Sequence, residues 1–281
     1  MHVRDWVGPK LIFSDIDGTF LADDKSIPTP NVRMLDYLDE IDAVFVPCTG
    51  RMLSGIPREV IMHSCVKYAV CSDGACIVEF DGIRPKILFK DGLQDEVVLD
   101  FYQRICDLDI QFDVFADGKS YCEQKRLDRL CFFPLDAGMR AFVLSQRIGV
   151  DCGMPQLVAQ VGKVERLNVY YRNAEDGAKV KSIAMECGLA VKSHSGIGIE
   201  VTNPTLSKGT GLAWLSHYLG VDTAGCVAFG DGENDVAMLD AAGLGVAVSN
   251  AVASCKESAD TVIEFDNNAG AVGLFALRCW R

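Results

Sequence analysis

Two carboxylates, Asp15 and Asp17, close a short apolar run, Leu11 to Phe13, and Gly18 and Thr19 follow at once. Residues two apart on an extended backbone point the same way, so both acids face one side at the strand's carboxyl end. Carboxylates are depleted in strands and costly to bury unpaired. A pair here therefore implies a metal ion or a chemical duty, with an Asx turn closing a strand as the plain alternative. The pattern recurs at Gly230-Asp231-Gly232-Glu233-Asn234-Asp235, directly after the apolar run Cys226 to Phe229. Between these acidic stretches stand two motifs suited to an anion. Thr49-Gly50-Arg51 follows the run Ala43 to Pro47 and offers a hydroxyl, a backbone amide and a guanidinium, although alone it is also a common turn. Lys208 opens a helical stretch, the end of the dipole that cations avoid, and its place there makes sense if an anion binds beside it. Alone, it would be an ordinary surface lysine, just as Glu233 reads as an exposed first-turn acid.

The elements that must position these residues follow from the apolar periodicity. Helix Pro30 to Ile41, strand Ala43 to Pro47, helix Met52 to Met62 and strand Tyr68 to Cys71 alternate after the first strand. Such alternation predicts an α/β fold with a doubly wound, Rossmann-like parallel sheet, whose ligands collect beyond the carboxyl ends of the strands. Alternating strands Ala75 to Phe80 and Ile83 to Phe89 then flank an Asp81-Gly82 turn. The rhythm changes from Arg84 to Lys192, where short strands, two hairpins and single helices such as Leu93 to Leu108 and Ala137 to Ile148 predict an α+β insert. Strand Ile197 to Val201 and helix Thr210 to Leu219 resume the first rhythm. The expected division is a catalytic core of residues 1–83 and 193–281 with an inserted domain of residues 84–192.

At 281 residues the chain can build two medium domains, each with its own core. A net charge of −12, with no dense Lys/Arg cluster, argues against nucleic acid or an anionic membrane as partner. Hydrophobic residues make up 49% of the chain without forming a membrane-spanning run, and the start Met-His-Val-Arg-Asp has no signal-peptide character. A cytoplasmic location is expected. The 12 cysteines are scattered singly, without a Cys-x-x-Cys pair and with only 4 histidines, so they are expected to be reduced core thiols rather than zinc ligands or disulfides.

Taken together in this order, Asp15-Ile16-Asp17-Gly18-Thr19, Thr49-Gly50-Arg51, Lys208-Gly209 and Gly230-Asp231-Gly232-Glu233-Asn234-Asp235 resemble the haloacid dehalogenase-like hydrolases, and their spacing resembles the Cof-type (IIB) phosphatases. The gap between Asp17 and Thr49 is too short for a domain, whereas that between Thr49 and Lys208 holds one, as in the Cof-type cap. Two departures stand out: the family usually has Asn where this chain has Asp73 and Leu where it has Phe20. The resemblance implies hydrolysis of a small-molecule phosphorylated metabolite, a sugar phosphate first, with Mg2+ as cofactor. It makes Asp15 the nucleophile that forms an aspartyl phosphate, and Asp17 the general acid and base. Asp15, the Asp17 carbonyl and Asp231 would hold the metal. Ile16, Thr49, Gly50, Lys208 and Asn234 would hold the phosphoryl oxygens, and Asp235 would orient Lys208 or a metal-bound water. A sugar phosphomutase and a catalytically silent sugar-phosphate-binding regulator are the alternatives.

Overall fold

Leu11–Ser14 and Cys226–Gly230 are buried along their whole length, which suits them only to the middle of a sheet, and they pair with each other in parallel. The computed structural model describes residues 10–82, 84–194 and 197–280. The amino-terminal residues 1–9, on which the signal-peptide reading rests, and Ile83 lie outside them. In chain order the strands are β1 Leu11–Ser14, β2 Val44–Pro47, β3 Tyr68–Cys71, β4 Cys76–Asp81, β5 Arg84–Lys90, β6 Ile110–Ala116 and β7 Lys119–Glu123. Then follow β8 Arg147–Val150, β9 Val164–Tyr171, β10 Ala190–His194, β11 Gly198–Thr202, β12 Cys226–Gly230, β13 Leu244–Ala247 and β14 Thr261–Val262.

The chain divides into two compact units, Met1–Phe89 with Leu206–Arg281, and Lys90–Thr205. The first holds a parallel sheet in the order β14-β13-β12-β1-β2. From β1 the chain moves to β2 on one side, and its later part builds β12 to β14 on the other. The strand order thus reverses at β1, and the crevice of such a sheet opens beyond that strand's carboxyl end. Helix Thr29–Glu40 makes the first crossover and buries Asn31, Met34, Leu35 and Leu38. Phe13, Phe45 and Phe229 are fully buried in the core, each contributing roughly 1.5–3 kcal/mol of apolar transfer. β3 extends the parallel set through a Cys48–Val70 bridge, then β4 and β5 turn back as an antiparallel ribbon.

The second unit holds a six-stranded sheet, β10-β11-β9-β6-β7-β8, mostly antiparallel, with β7 and β8 parallel. One face carries Phe112, Val114, Leu167, Val169, Ile199 and Val201, which pack with Val98, Phe101, Leu157 and Val180 of three helices.

Four details differ from the sequence reading. The insert runs from Lys90 to Thr205 rather than over residues 84–192. Its near limit moves because β5 completes the ribbon with β4, its far limit because β11 pairs antiparallel with β9 and β10 instead of joining the parallel sheet. The helix expected over Met52 to Met62 is a 3-10 turn, Leu53–Gly55, and a short helix, Arg58–Ile61. Pro57 separates them: it lacks an N–H and forces Ile56 into extended backbone (φ −76, ψ 131). Helix Ala137–Gln146 stops earlier than expected, since Arg147 to Val150 leave it to pair with β7. All 12 cysteines are free thiols, but Cys131 is exposed and Cys106, Cys152, Cys187 and Cys279 are only half-buried, so not all belong to the core. No helix among the described residues is long and apolar enough to cross a membrane.

Candidate active site

The carboxyl ends of β1 and β12 bring the two acidic stretches together. Asp15 stays in register with the sheet, its N–H donating to the Phe229 carbonyl at 2.9 Å, and its side chain is nearly buried. Lys208, the first residue of helix Lys208–Tyr218, reaches it from behind. Its Nζ donates to Asp15 Oδ1 at 2.5 Å and to Asp235 Oδ1 at 2.6 Å, and its side chain has no exposed surface. The surface-lysine reading therefore fails for Lys208. Asp235 spends its other oxygen on the Asp231 and Gly232 amides, both at 2.9 Å, so it joins Lys208 to the loop after β12. Of the two duties expected of Asp235, the direct contact is with Lys208.

Asp231 is held on the opposite side. Thr19 Oγ1 donates to its Oδ1 at 2.6 Å, a contact that the sequence reading missed, although a hydroxyl beside an Asp-x-Asp-Gly turn is a signal for one. Gly18 sits at φ +78, and a Cβ there would lie 2.5 Å from Asp231 Oδ2, so both the turn and the approach of that carboxylate require glycine.

Burial dominates the electrostatics. It pushes the Asp15 carboxyl up to about 7 against the pull of the Lys208 ammonium, with Asp235 and Asp231 adding to the rise. Burial also raises Asp231, opposed by the Thr19 hydrogen bond and reinforced by Asp235. Lys208 stays protonated: burial alone would lower its pKa, but Asp15 and Asp235 hold it well above the usual range.

Asp17 turns another way. Arg51 grips it with two parallel hydrogen bonds, Nε to Oδ2 at 2.6 Å and Nη2 to Oδ1 at 2.7 Å, and Lys25 adds a third at 2.8 Å. Burial would raise the Asp17 carboxyl, but these donors outweigh it and leave its pKa below the ordinary value. Arg51, which the sequence offers to an anion in solution, thus engages an anion of the chain itself.

The other expected phosphate donors lie around the same strand ends. Thr49 is buried and its Oγ1 accepts from the Arg51 amide at 3.1 Å. The Ile16 side chain is buried and its carbonyl accepts from the Phe20 and Leu21 amides, which leaves its N–H as the group to offer. Asn234 donates from Nδ2 to Asp73 Oδ1 at 2.9 Å, and Gly50 lies beside the same Asp73 carboxylate. Glu233 is exposed, and Phe20 packs in the core against Phe45 with ring centroids 4.8 Å apart.

Asp15, Asp231 and Asp235 each bring one carboxylate oxygen within 4.8 Å of the others, a set that could hold a metal ion. All-oxygen donors suit a hard dication such as Mg2+, and the raised Asp15 and Asp231 pKa values mark an excess of buried negative charge that such an ion would relieve. Both Asp235 oxygens already take hydrogen bonds, whereas Asp15 and Asp231 each have one to offer. The Asp17 side chain lies outside this cluster, so the Asp17 position would serve a metal only through its carbonyl, as the resemblance implies.

Comparison with known proteins identifies the family. Residues 12–275 match the haloacid dehalogenase-like hydrolase family. A phosphoglycolate phosphatase of Methanopyrus kandleri is 41% identical over 266 residues, covering 92% of this chain and 93% of its own. A haloacid dehalogenase-like hydrolase from Bacteroides thetaiotaomicron superposes with a TM-score of 0.78 at 21% identity, covering 96% of this chain and 99% of that one. A solved subclass IIB sugar phosphatase does so with a TM-score of 0.75 at 18% identity, covering 96% and 98%. The chain belongs to the haloacid dehalogenase-like hydrolases.

Proposed function

We propose that the protein hydrolyses small-molecule phosphate monoesters with Mg2+, through an aspartyl phosphate, an acyl phosphate formed on Asp15. The observation that carries this reading is the buried Lys208 ammonium bridging Asp15 and Asp235 at a strand end that also presents Asp231. An Asp15 oxygen attacks phosphorus, the bond to the leaving alkoxide breaks, and water later attacks the same phosphorus to free Asp15 and inorganic phosphate. The ammonium of Lys208, the Thr49 hydroxyl, the Ile16 and Gly50 amides and Asn234 stabilise charge on the transferring oxygens. Asp15, Asp231 and the Asp17 carbonyl would hold Mg2+, which supplies charge neutralisation between nucleophile and phosphate.

Asp17 protonates the departing alkoxide and then takes a proton from water. The Arg51 grip favours the ionised form, hence the second half of that duty; for the first half Asp17 must leave Arg51 and take up a proton. The family resemblance puts sugar phosphates first among substrates. The 41% identity to a phosphoglycolate phosphatase supports phosphoglycolate as the second reading, and the two are told apart by kcat/KM on both esters.

Rapid mixing with p-nitrophenyl phosphate tests the mechanism. Its leaving group, with a pKa of about 7, needs little protonation. Asp17→Asn should give a burst of about one p-nitrophenolate per site and then slow turnover, whereas Asp15→Asn should give none. A burst from the Asp15 variant, or equal residual activity in both, would overturn these assignments.

A further inference from the structure

Ser72, Asp73 and Gly74 follow one another with φ of 50, 51 and 97. For the two non-glycine residues this left-handed backbone is strained, and such strain persists where surrounding structure insists on it. The surroundings here are the anion-binding turn itself: the Ser72 amide donates to the Arg51 carbonyl at 2.9 Å, and the Asp73 amide to the Thr49 carbonyl at 3.1 Å. On the far side Gly74 lies so close to the Ser207 carbonyl that a Cβ would stand 2.2 Å from it. The turn is thus pinned between Thr49–Arg51 and the start of the Lys208 helix, and its strained conformation fixes where Asp73 points.

It points at groups that the proposed reaction reserves for phosphate. Asp73 Oδ1 accepts from Asn234 Nδ2 at 2.9 Å, and Asp73 Oδ2 lies 3.1 Å from where a Cβ on Gly50 would be. Its charge also acts on Lys208, helping to hold that ammonium protonated. A carboxylate here is an anion of the chain beside the donors meant for an anion of the substrate.

We propose that Asp73 is a built-in competitor for the phosphate cradle. It occupies the Asn234 amide and places a negative charge beside Gly50 and Lys208, so that phosphate binds weakly and the inorganic phosphate product leaves quickly. The inference rests on the cradle assigned above. A phosphoryl group must draw Asn234 away from Asp73 to gain its hydrogen bond, and it remains beside a like charge afterwards.

The test is equilibrium binding of inorganic phosphate, by calorimetry in the presence of Mg2+, to the wild-type chain, Asp73→Asn and Asp73→Gly. Asparagine keeps the size and tolerates the left-handed backbone, and glycine removes the strain along with the charge. Both variants should bind phosphate roughly tenfold or more tightly, the scale expected on removing a like charge a few ångströms away in a partly buried site. Both should also lower KM and kcat together on p-nitrophenyl phosphate, since product release slows. Affinity that is unchanged or weaker in both variants overturns the inference, and tightening in Asp73→Gly alone traces the effect to side-chain bulk and overturns it too. If no chain, wild type included, binds phosphate, the cradle itself is wrong and the proposed function falls with the inference.

Discussion

Replacing Lys208 by methionine removes one charge and leaves two. Lys208 Nζ donates to Asp15 at 2.5 Å and to Asp235 at 2.6 Å with no side-chain surface exposed, so Lys208→Met strands two carboxylates in a buried site. Breaking a buried pair from one side costs about 3–5 kcal/mol. At about 2–4 °C per kcal/mol for a unit of this size, the melting midpoint should fall by roughly 6–20 °C. The loss should depend on pH in a definite sense. Asp15 has a folded pKa of about 7 against an ordinary 3.8, so between those values the folded chain holds a proton that the unfolded chain has released. Stability from this group therefore falls as pH rises through that window. Burial drives the shift and Lys208 is the largest influence against it, so without the ammonium the fall continues to higher pH. Thermal melts of metal-free protein at pH 5 and pH 8 measure this, and Lys208→Met should lose more at pH 8. Adding Asp235→Asn should return part of the stability by removing one stranded charge, while activity stays at least about a hundredfold down because the donor to the transferring oxygens is still missing. A variant that melts within about 1 °C of the wild type at both pH values, on the same scale, would refute the buried bridge and with it the reasoning.

Asp231→Asn turns one proposed anionic metal ligand neutral, so the Mg2+ concentration needed for half-maximal activity should rise by about tenfold or more while the melting midpoint of metal-free protein holds or rises, since burial already disfavours its charge. An unchanged Mg2+ dependence would remove Asp231 from the site. Arg51→Met frees Asp17 from two of its three donors, so the Asp17 carboxyl should rise from its lowered value and the limb that it contributes to the pH–rate profile should move to higher pH. In stability the sign is opposite to that of Asp15. A lowered folded pKa stabilises above the unfolded value and loses that contribution as pH falls through the folded one, so wild type and variant should converge in acid.

Much of this architecture was legible because burial leaves a plain record in sequence. Runs such as Leu11 to Phe13 and Cys226 to Phe229 suit only a central parallel strand, and the acids that recur just beyond both ask for more than a turn that closes a strand. The placement of Ile197 to Val201 failed for a related cause. Its alternation fits a parallel strand or an antiparallel one equally well, and only the pairing with β9 and β10 assigns it to the inserted unit. Pro57 was visible, yet the apolar spacing of the surrounding residues still suggested one continuous helix.

The partners of the site residues were harder to read, because side-chain direction depends on backbone turns rather than on residue type. Arg51 in a Thr-Gly-Arg turn has the chemistry to hold a phosphate, but the fold brings Asp17 within 2.6 Å of its guanidinium, so Arg51 holds a carboxylate of its own chain. Asp73 is the converse case. As a residue type it belongs in a turn, and a turn is where it lies; only the positive φ values of that turn aim its carboxylate at Asn234. Three acids and three cations therefore divide into two sets: Lys208 with Asp15 and Asp235 in the buried site, and Arg51 and Lys25 with Asp17 at its edge. In the proposed mechanism, this division separates the group that attacks from the group that moves protons. On that mechanism Asp15 and Asp17 each have the surroundings their step would require: a buried ammonium for Asp15 as charge passes to phosphorus, and a releasable grip for Asp17, which would change its protonation state twice per turnover.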